Sequence, residues 1–152
     1  MKTILSSIVL SLAVCCAYGQ KTNPKYDPVL AKKFGADDYG KKKYVLVILK
    51  TGSNTTDDTK IKDSLFAGHM ANINRLVEIN KLVVAGPLGK NEKTYRGIFI
   101  LDVKTFDEAN ILLDTDPAIK EKLLAVELYE WYGSAALPAY LEASEKVGKK
   151  EF

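Results

Sequence analysis

The chain has one histidine, His69, and two cysteines, Cys15 and Cys16. That scarcity excludes much chemistry at once. One histidine and two adjacent cysteines leave no cluster with the spacing of a zinc site. There is no phosphate loop: Gly86-Pro87-Leu88-Gly89-Lys90 has the wrong glycine spacing and no Ser or Thr after its lysine. There is no serine elbow. Neither sign of charge dominates. Lys and Arg total 22 against 19 Asp and Glu, a formal net charge of +3, which offers no argument for a nucleic-acid partner. No internal repeat or low-complexity segment is present.

Residues 1–19 read as a signal peptide. Met1-Lys2-Thr3 carries one positive side chain, and residues 4–16 are an apolar run with serines, too short to remain as a membrane span. Ala17-Tyr18-Gly19 places small residues at both positions that a signal peptidase reads, so cleavage is expected before Gln20. A lipoprotein needs a small residue before its cysteine. Val14 precedes Cys15, and Cys15 precedes Cys16, so neither fits. The expected location is secreted or periplasmic, with no membrane attachment after cleavage. Both cysteines leave with the leader, and the mature chain has neither disulfide nor thiol chemistry.

Residues 20–42 form a lead-in punctuated by Pro24, Pro28, Gly35 and Gly40 and closed by Lys41-Lys42-Lys43. Residues 29–34 have room for one or two helical turns; the rest is expected to be extended or mobile. Residues 44–49 are apolar at every position, the mark of a strand covered on both faces. The polar loop 51–59 contains Asn54-Thr55-Thr56, a match to the short glycosylation sequon. Residues 61–80 carry Leu65, His69, Ile73 and Leu76 at three- and four-residue steps, one face of a long helix. A short strand, 82–85, stops at Gly86-Pro87, a turn between paired strands. The strand 96–103 is again apolar on both faces at Ile98-Phe99-Ile100-Leu101. Thr105-Phe106-Asp107-Glu108 is a capping box that starts a helix running to 113. Residues 123–132 make the last strand, with Leu124, Val126 and Leu128 on one face and Ala125, Glu127, Tyr129 and Trp131 on the other.

This order predicts an α+β, ferredoxin-like βαββαβ domain over residues 43–133: a four-stranded antiparallel sheet with two helices on one face. The helices cover only one face, yet the first and third strands are apolar on both. The free face needs a cover, and a second copy packed across a two-fold axis is the simplest one. Residues 134–152 form a tail with one apolar stretch, 137–141, followed by charge.

Two residues stand out as candidates for chemistry, and each has a plain reading beside the functional one. Histidine is the side chain whose ordinary pKa suits proton transfer near neutral pH. His69 also shares a core-facing stripe, where a hydrogen-bonded neutral ring would need no further role. Asp116, followed by Pro117, suits a turn or the N-cap of a short helix. It could instead face His69 and orient the ring. Three further residues are candidate substrate contacts. Arg96 could clamp a carboxylate with its planar fork, or pair with Glu92 in the hairpin, the preferred reading. Tyr129 and Trp131 could wall a pocket or simply pack.

Several segments together resemble the YCII-related family: Ala67-Gly68-His69, Leu82-Val83-Val84-Ala85-Gly86-Pro87, Arg96-Gly97-Ile98-Phe99, Thr115-Asp116-Pro117-Ala118 and Glu130-Trp131-Tyr132. The resemblance spans residues 44–132. It implies a dimeric α/β barrel with a pocket between helix and sheet, and a histidine–aspartate pair mapping to His69 and Asp116. Two departures are visible: Asn80-Lys81 stands where a glycine is usual before the second strand, and Ala118 where many relatives have an aromatic. The function expected is acid–base chemistry of the isomerase or lyase kind on a small organic molecule, with no cofactor and no metal. The alternative is a homodimer that binds a small ligand without turnover. A haem protein with His69 as ligand rests on fold analogy alone.

Overall fold

The computed structural model describes residues 23–149, so the expected leader, residues 1–19, lies outside the described part. Helix α1 (Pro28–Phe34) precedes strand β1 (Lys41–Thr51), helix α2 (Thr59–Glu78), and strands β2 (Leu82–Pro87) and β3 (Tyr95–Leu101). Helices α3 (Phe106–Leu113) and α4 (Pro117–Lys120) lead into strand β4 (Leu124–Ser134). A 3-10 turn (Leu137–Tyr140) and helix α5 (Leu141–Val147) follow. The sheet order is β2-β3-β1-β4 with every pair antiparallel, the ferredoxin-like arrangement. Among the described residues no helix is long and apolar enough to cross a membrane.

Local chemistry sets the element ends. Asp58 caps α2 by accepting from the amides of Lys60 and Ile61 at 2.9 and 3.2 Å, so the helix starts two residues before the apolar stripe suggests. Asn80 stops it with φ at 56°, a left-handed conformation that asparagine tolerates better than most residues. It does there what a glycine would do. The capping box at Thr105 and Glu108 forms as expected, each side chain reaching the other's backbone amide. The lysines 41–43 belong to β1, paired with residues 132–134 of β4. The lead-in is more ordered than its composition suggests. The Asp27 side chain caps α1, and Asp37 accepts from the amides of Tyr39 and Lys41 and from the Tyr132 hydroxyl. The Tyr132 hydrogen bond is the main reason that the Asp37 carboxyl lies below its ordinary range.

The core lies between sheet and helices. Val45, Val47 and Leu49 of β1 join Phe99 and Leu101 of β3 and Leu124 of β4, under Leu76, Ala109, Leu113 and Ala118 from the helices. Tyr44, Leu46 and Ile48 alternate onto the far face, where they meet Trp131, Tyr129, Ile98 and Ile100 across the ladders. The tail takes part of that face. The Tyr44 hydroxyl donates to the Ser134 carbonyl at 2.8 Å, and Tyr140 donates to the carbonyl of Val83 on the opposite sheet edge. Tyr44 is only 1% exposed as a result. Burial, then the nearby Asp102 charge, pushes its hydroxyl up to about 12. Leu46, Ile48, Ile98 and Ile100 stay half-buried.

Removing the Tyr44 hydroxyl leaves its carbonyl partner short of a donor while the ring stays in place. Tyr44→Phe is therefore expected to lower stability by about 1 kcal/mol. Urea unfolding should show a lower midpoint with an unchanged slope.

Candidate active site

Helix α2 turns one face toward the sheet, and His69 sits in that face, 8% exposed, in line with Leu65, Ile73 and the fully buried Leu76. The imidazole stacks on Phe99 of β3 with centroids 5.8 Å apart and planes 21° apart. Phe66, one turn earlier on α2, meets it edge-on at 6.3 Å. Packing on both sides limits the ring to a narrow range of orientations.

Asp116 has no exposed surface. Its two oxygens serve two elements. Oδ1 accepts from the amides of Ala118 and Ile119 at 2.9 and 3.4 Å, capping α4, whose first residue is Pro117. Oδ2 lies 2.6 Å from His69 Nδ1. Both readings of this residue therefore hold at once: the helix cap and the histidine partner are the same carboxylate. A carboxylate only accepts, so Nδ1 donates. In a neutral imidazole the lone pair is then on Nε2. The one buried side-chain nitrogen or oxygen without a partner among the described residues is Asn72 Nδ2. His69 Nε2 has no hydrogen-bond partner among the described residues, and the side chain keeps 10% of its surface exposed.

The close approach depends on Gly68. A Cβ there would fall 2.8 Å from Pro117 Cγ, so the bare glycine lets α4 lie against α2 and delivers Asp116 to His69. This is a physical reason for glycine to precede the histidine.

The other three candidates are elsewhere. Arg96 is an exposed residue at the irregularity in the β1–β3 ladder. No ion pair to Glu92 forms among the described residues, contrary to the preferred reading. Tyr129 and Trp131 lie on the far sheet face, away from His69. The Tyr129 hydroxyl donates to Glu127 Oε2 at 3.2 Å, and Trp131 packs on Tyr44 at 5.5 Å. Of the two readings for these aromatics, packing describes the Trp131 contact, and neither residue lies on the sheet face that carries His69. Two surface clefts of about 670 and 920 Å³ border the lead-in, not His69.

Phe66 meets the His69 ring, and Asn72, Arg75 and Thr115, the residue before Asp116, bond to one another; none was singled out as a candidate from the sequence. Asn72 had a visible signal: a polar side chain three residues after His69, at a position of the buried stripe. Among the described residues, no group of three or more His, Cys, Asp or Glu side chains could hold a metal ion.

Neither a protein-family model nor a curated protein matches the chain. Among solved structures, the chain is similar to 5-chloro-2-hydroxyhydroquinone dehydrochlorinase from Burkholderia phenoliruptrix AC1100, in complex with 2,5-dihydroxybenzoquinone. The identity is 20%, the match covers 57% of this chain and 92% of that one, and the TM-score is 0.42. A likeness that low says nothing about the site or its chemistry.

Gly68→Ala tests the approach of the two helices. In an unconstrained helix interior this change gains up to about 1 kcal/mol. Here the new methyl meets a proline ring, and overpacking of that kind costs about 1–3 kcal/mol. Net destabilisation is expected. Pro117→Ala should relieve part of it in a double-mutant cycle, and simple additivity would show that the contact is not what requires the glycine.

Proposed function

We propose that this is an exported protein of the YCII-related family that performs cofactor-independent proton transfer on a small organic molecule. The observation that carries the reading is the 2.6 Å contact between His69 Nδ1 and Asp116 Oδ2, with Nε2 unpartnered among the described residues. Nε2 takes a proton from the substrate, and Asp116, a positioning residue, holds the ring and stabilises the imidazolium that forms. Returning the proton at a different atom gives an isomerisation. If the electron pair freed by the proton's removal instead expels a leaving group, the outcome is an elimination. Phe66 and Met70, each 38% exposed and one turn apart, edge the helix at His69, which suits an organic substrate with apolar surface.

We assign the half-buried Leu46, Ile48, Ile98 and Ile100 to a two-fold contact with a second copy, giving a homodimer. The mature chain at micromolar concentration should elute at twice the monomer mass. A stable, soluble monomer would mean that the tail alone is cover enough for that face.

A ligand-binding dimer without turnover is the second reading. It is favoured by the position of Arg96, Tyr129 and Trp131, which leaves His69 and Asp116 without the expected substrate clamps. One experiment separates the two. A thermal-shift screen finds a ligand, because binding stabilises the folded state by mass action. His69→Ala is then expected to keep binding while turnover falls about 10²–10⁴-fold. A bound ligand that no form of the protein converts would favour the binding role.

A further inference from the structure

We propose that Asn72, Arg75 and Thr115 form a latch that positions Asp116 against His69; the assignment rests on the His69–Asp116 reading above. Helix α2 carries His69, Asn72 and Arg75 at successive three-residue steps, so they descend one side of the helix over about two turns. The first meets Asp116. The other two meet Thr115, the residue just before it. Arg75 Nη2 donates to Thr115 Oγ1 at 2.6 Å. Arg75 Nε and Nη2 also donate to Asn72 Oδ1, at 3.2 and 2.9 Å. The single hydroxyl proton of Thr115 has two acceptors within reach, the Leu112 carbonyl at 2.5 Å and Asn72 Oδ1 at 3.0 Å. With either choice, the turn between α3 and α4 is tied to α2 by a charged donor one residue before the catalytic pair's carboxylate.

The cost of this network points to positioning. Arg75 can only donate, so Asn72 must turn Oδ1 toward it. That choice leaves Nδ2 buried without a partner in a side chain only 6% exposed, which lowers stability. A leucine at 72 would extend the apolar stripe of Leu65, Ile73 and Leu76 without that loss. What asparagine adds is the tie to Arg75 and Thr115. A helix cap alone constrains Oδ1 of Asp116; the tie at Thr115 fixes the backbone from which Oδ2 reaches Nδ1. A dyad needs its partners held to within about 0.5 Å.

The probe is the His69 ring itself, observed by nitrogen-15 NMR in the intact protein. In the parent protein the Nδ1 proton should be visible and slow to exchange with water. Thr115→Val keeps the shape of the side chain and removes the hydroxyl. Its Nδ1 proton should exchange about tenfold faster, the equivalent of one lost hydrogen bond to a charged group. Arg75→Ala, on the surface, should do the same, and serves if the valine variant does not fold. Thr115→Ser keeps the hydroxyl and should restore the parent rate. Asn72→Leu should combine faster Nδ1 exchange with equal or higher thermal stability, a pairing that a purely structural role would not produce. Unchanged exchange in both Thr115→Val and Arg75→Ala overturns the latch and leaves the dyad standing. A parent protein whose His69 carries its neutral-form proton on Nε2 overturns the dyad, and the latch with it.

Discussion

A fully buried carboxylate is tolerated only where its oxygens are answered, and Asp116 imposes that condition on everything near it. Oδ1 needs the amides at the start of α4, so Pro117 must begin a helix there. Oδ2 needs His69, so α2 must present that ring at that height. The two helices must then lie close enough for the bond to form, and this requires Gly68. The ring must not turn away, and Phe99 and Phe66 prevent it. Removing the imidazole leaves a buried carboxylate oxygen without its partner, at a cost of about 1–3 kcal/mol. Helix packing, capping and the site therefore depend on one another, and a change that loosens one reaches the other two.

The two faces of the sheet obey different rules. The helix face is closed by apolar packing, and among the described residues its buried polar side chains are His69, Asn72 and Asp116. On the far face the tail seals Tyr44 and reaches across to Val83. Near the opposite end, Glu127 gathers Lys50 at 2.6 Å and the hydroxyls of Tyr95 and Tyr129 at 3.3 and 3.2 Å. The Lys50 hydrogen bond is the first cause that keeps the Glu127 carboxyl below its ordinary range. A partly exposed pair of this sort contributes little to stability. Between the two ends the aliphatic band of Leu46, Ile48, Ile98 and Ile100 stays half-buried.

Much of the fold could be read from pattern because each strand has its own signature. Residues 44–49 are apolar throughout, the mark of a strand covered on both faces; in β1 Val45, Val47 and Leu49 are buried on the helix side, while Leu46 and Ile48 on the far face are half-buried. In β4 the alternation placed Leu124, Val126 and Leu128 on one face, and that face meets the core. Element ends were less legible where a side chain one or two residues outside the apolar pattern decides them, as Asp58 does for α2. The ordered lead-in was missed for a similar reason. Its structure comes from Asp37 receiving a hydroxyl from Tyr132, a residue distant in sequence. The candidate site was legible in its two principal members, but their pairing only through the resemblance. His69 and Asp116 are 47 positions apart, and no local periodicity relates them. Arg96 is exposed at the register irregularity of β3, and the ion pair to Glu92, its preferred reading, does not form among the described residues.

The two positions at which the sequence departs from the pattern it resembles have different consequences in this fold. At Asn80 the backbone takes the left-handed turn that a glycine would allow, so the helix still ends on time and β2 still starts at Leu82. Position 118 is less forgiving. Ala118 has no exposed surface, belongs to the core cluster, and gives its amide to Asp116 Oδ1. An aromatic side chain there would need volume that Leu76, Leu113 and their neighbours now occupy, since interiors are packed about as densely as organic crystals. Accommodating it would shift α4, and α4 carries the cap of the very carboxylate that holds His69. The alanine thus suits a version of the site in which α4 is seated deep against the core, with the histidine–aspartate geometry set by that depth.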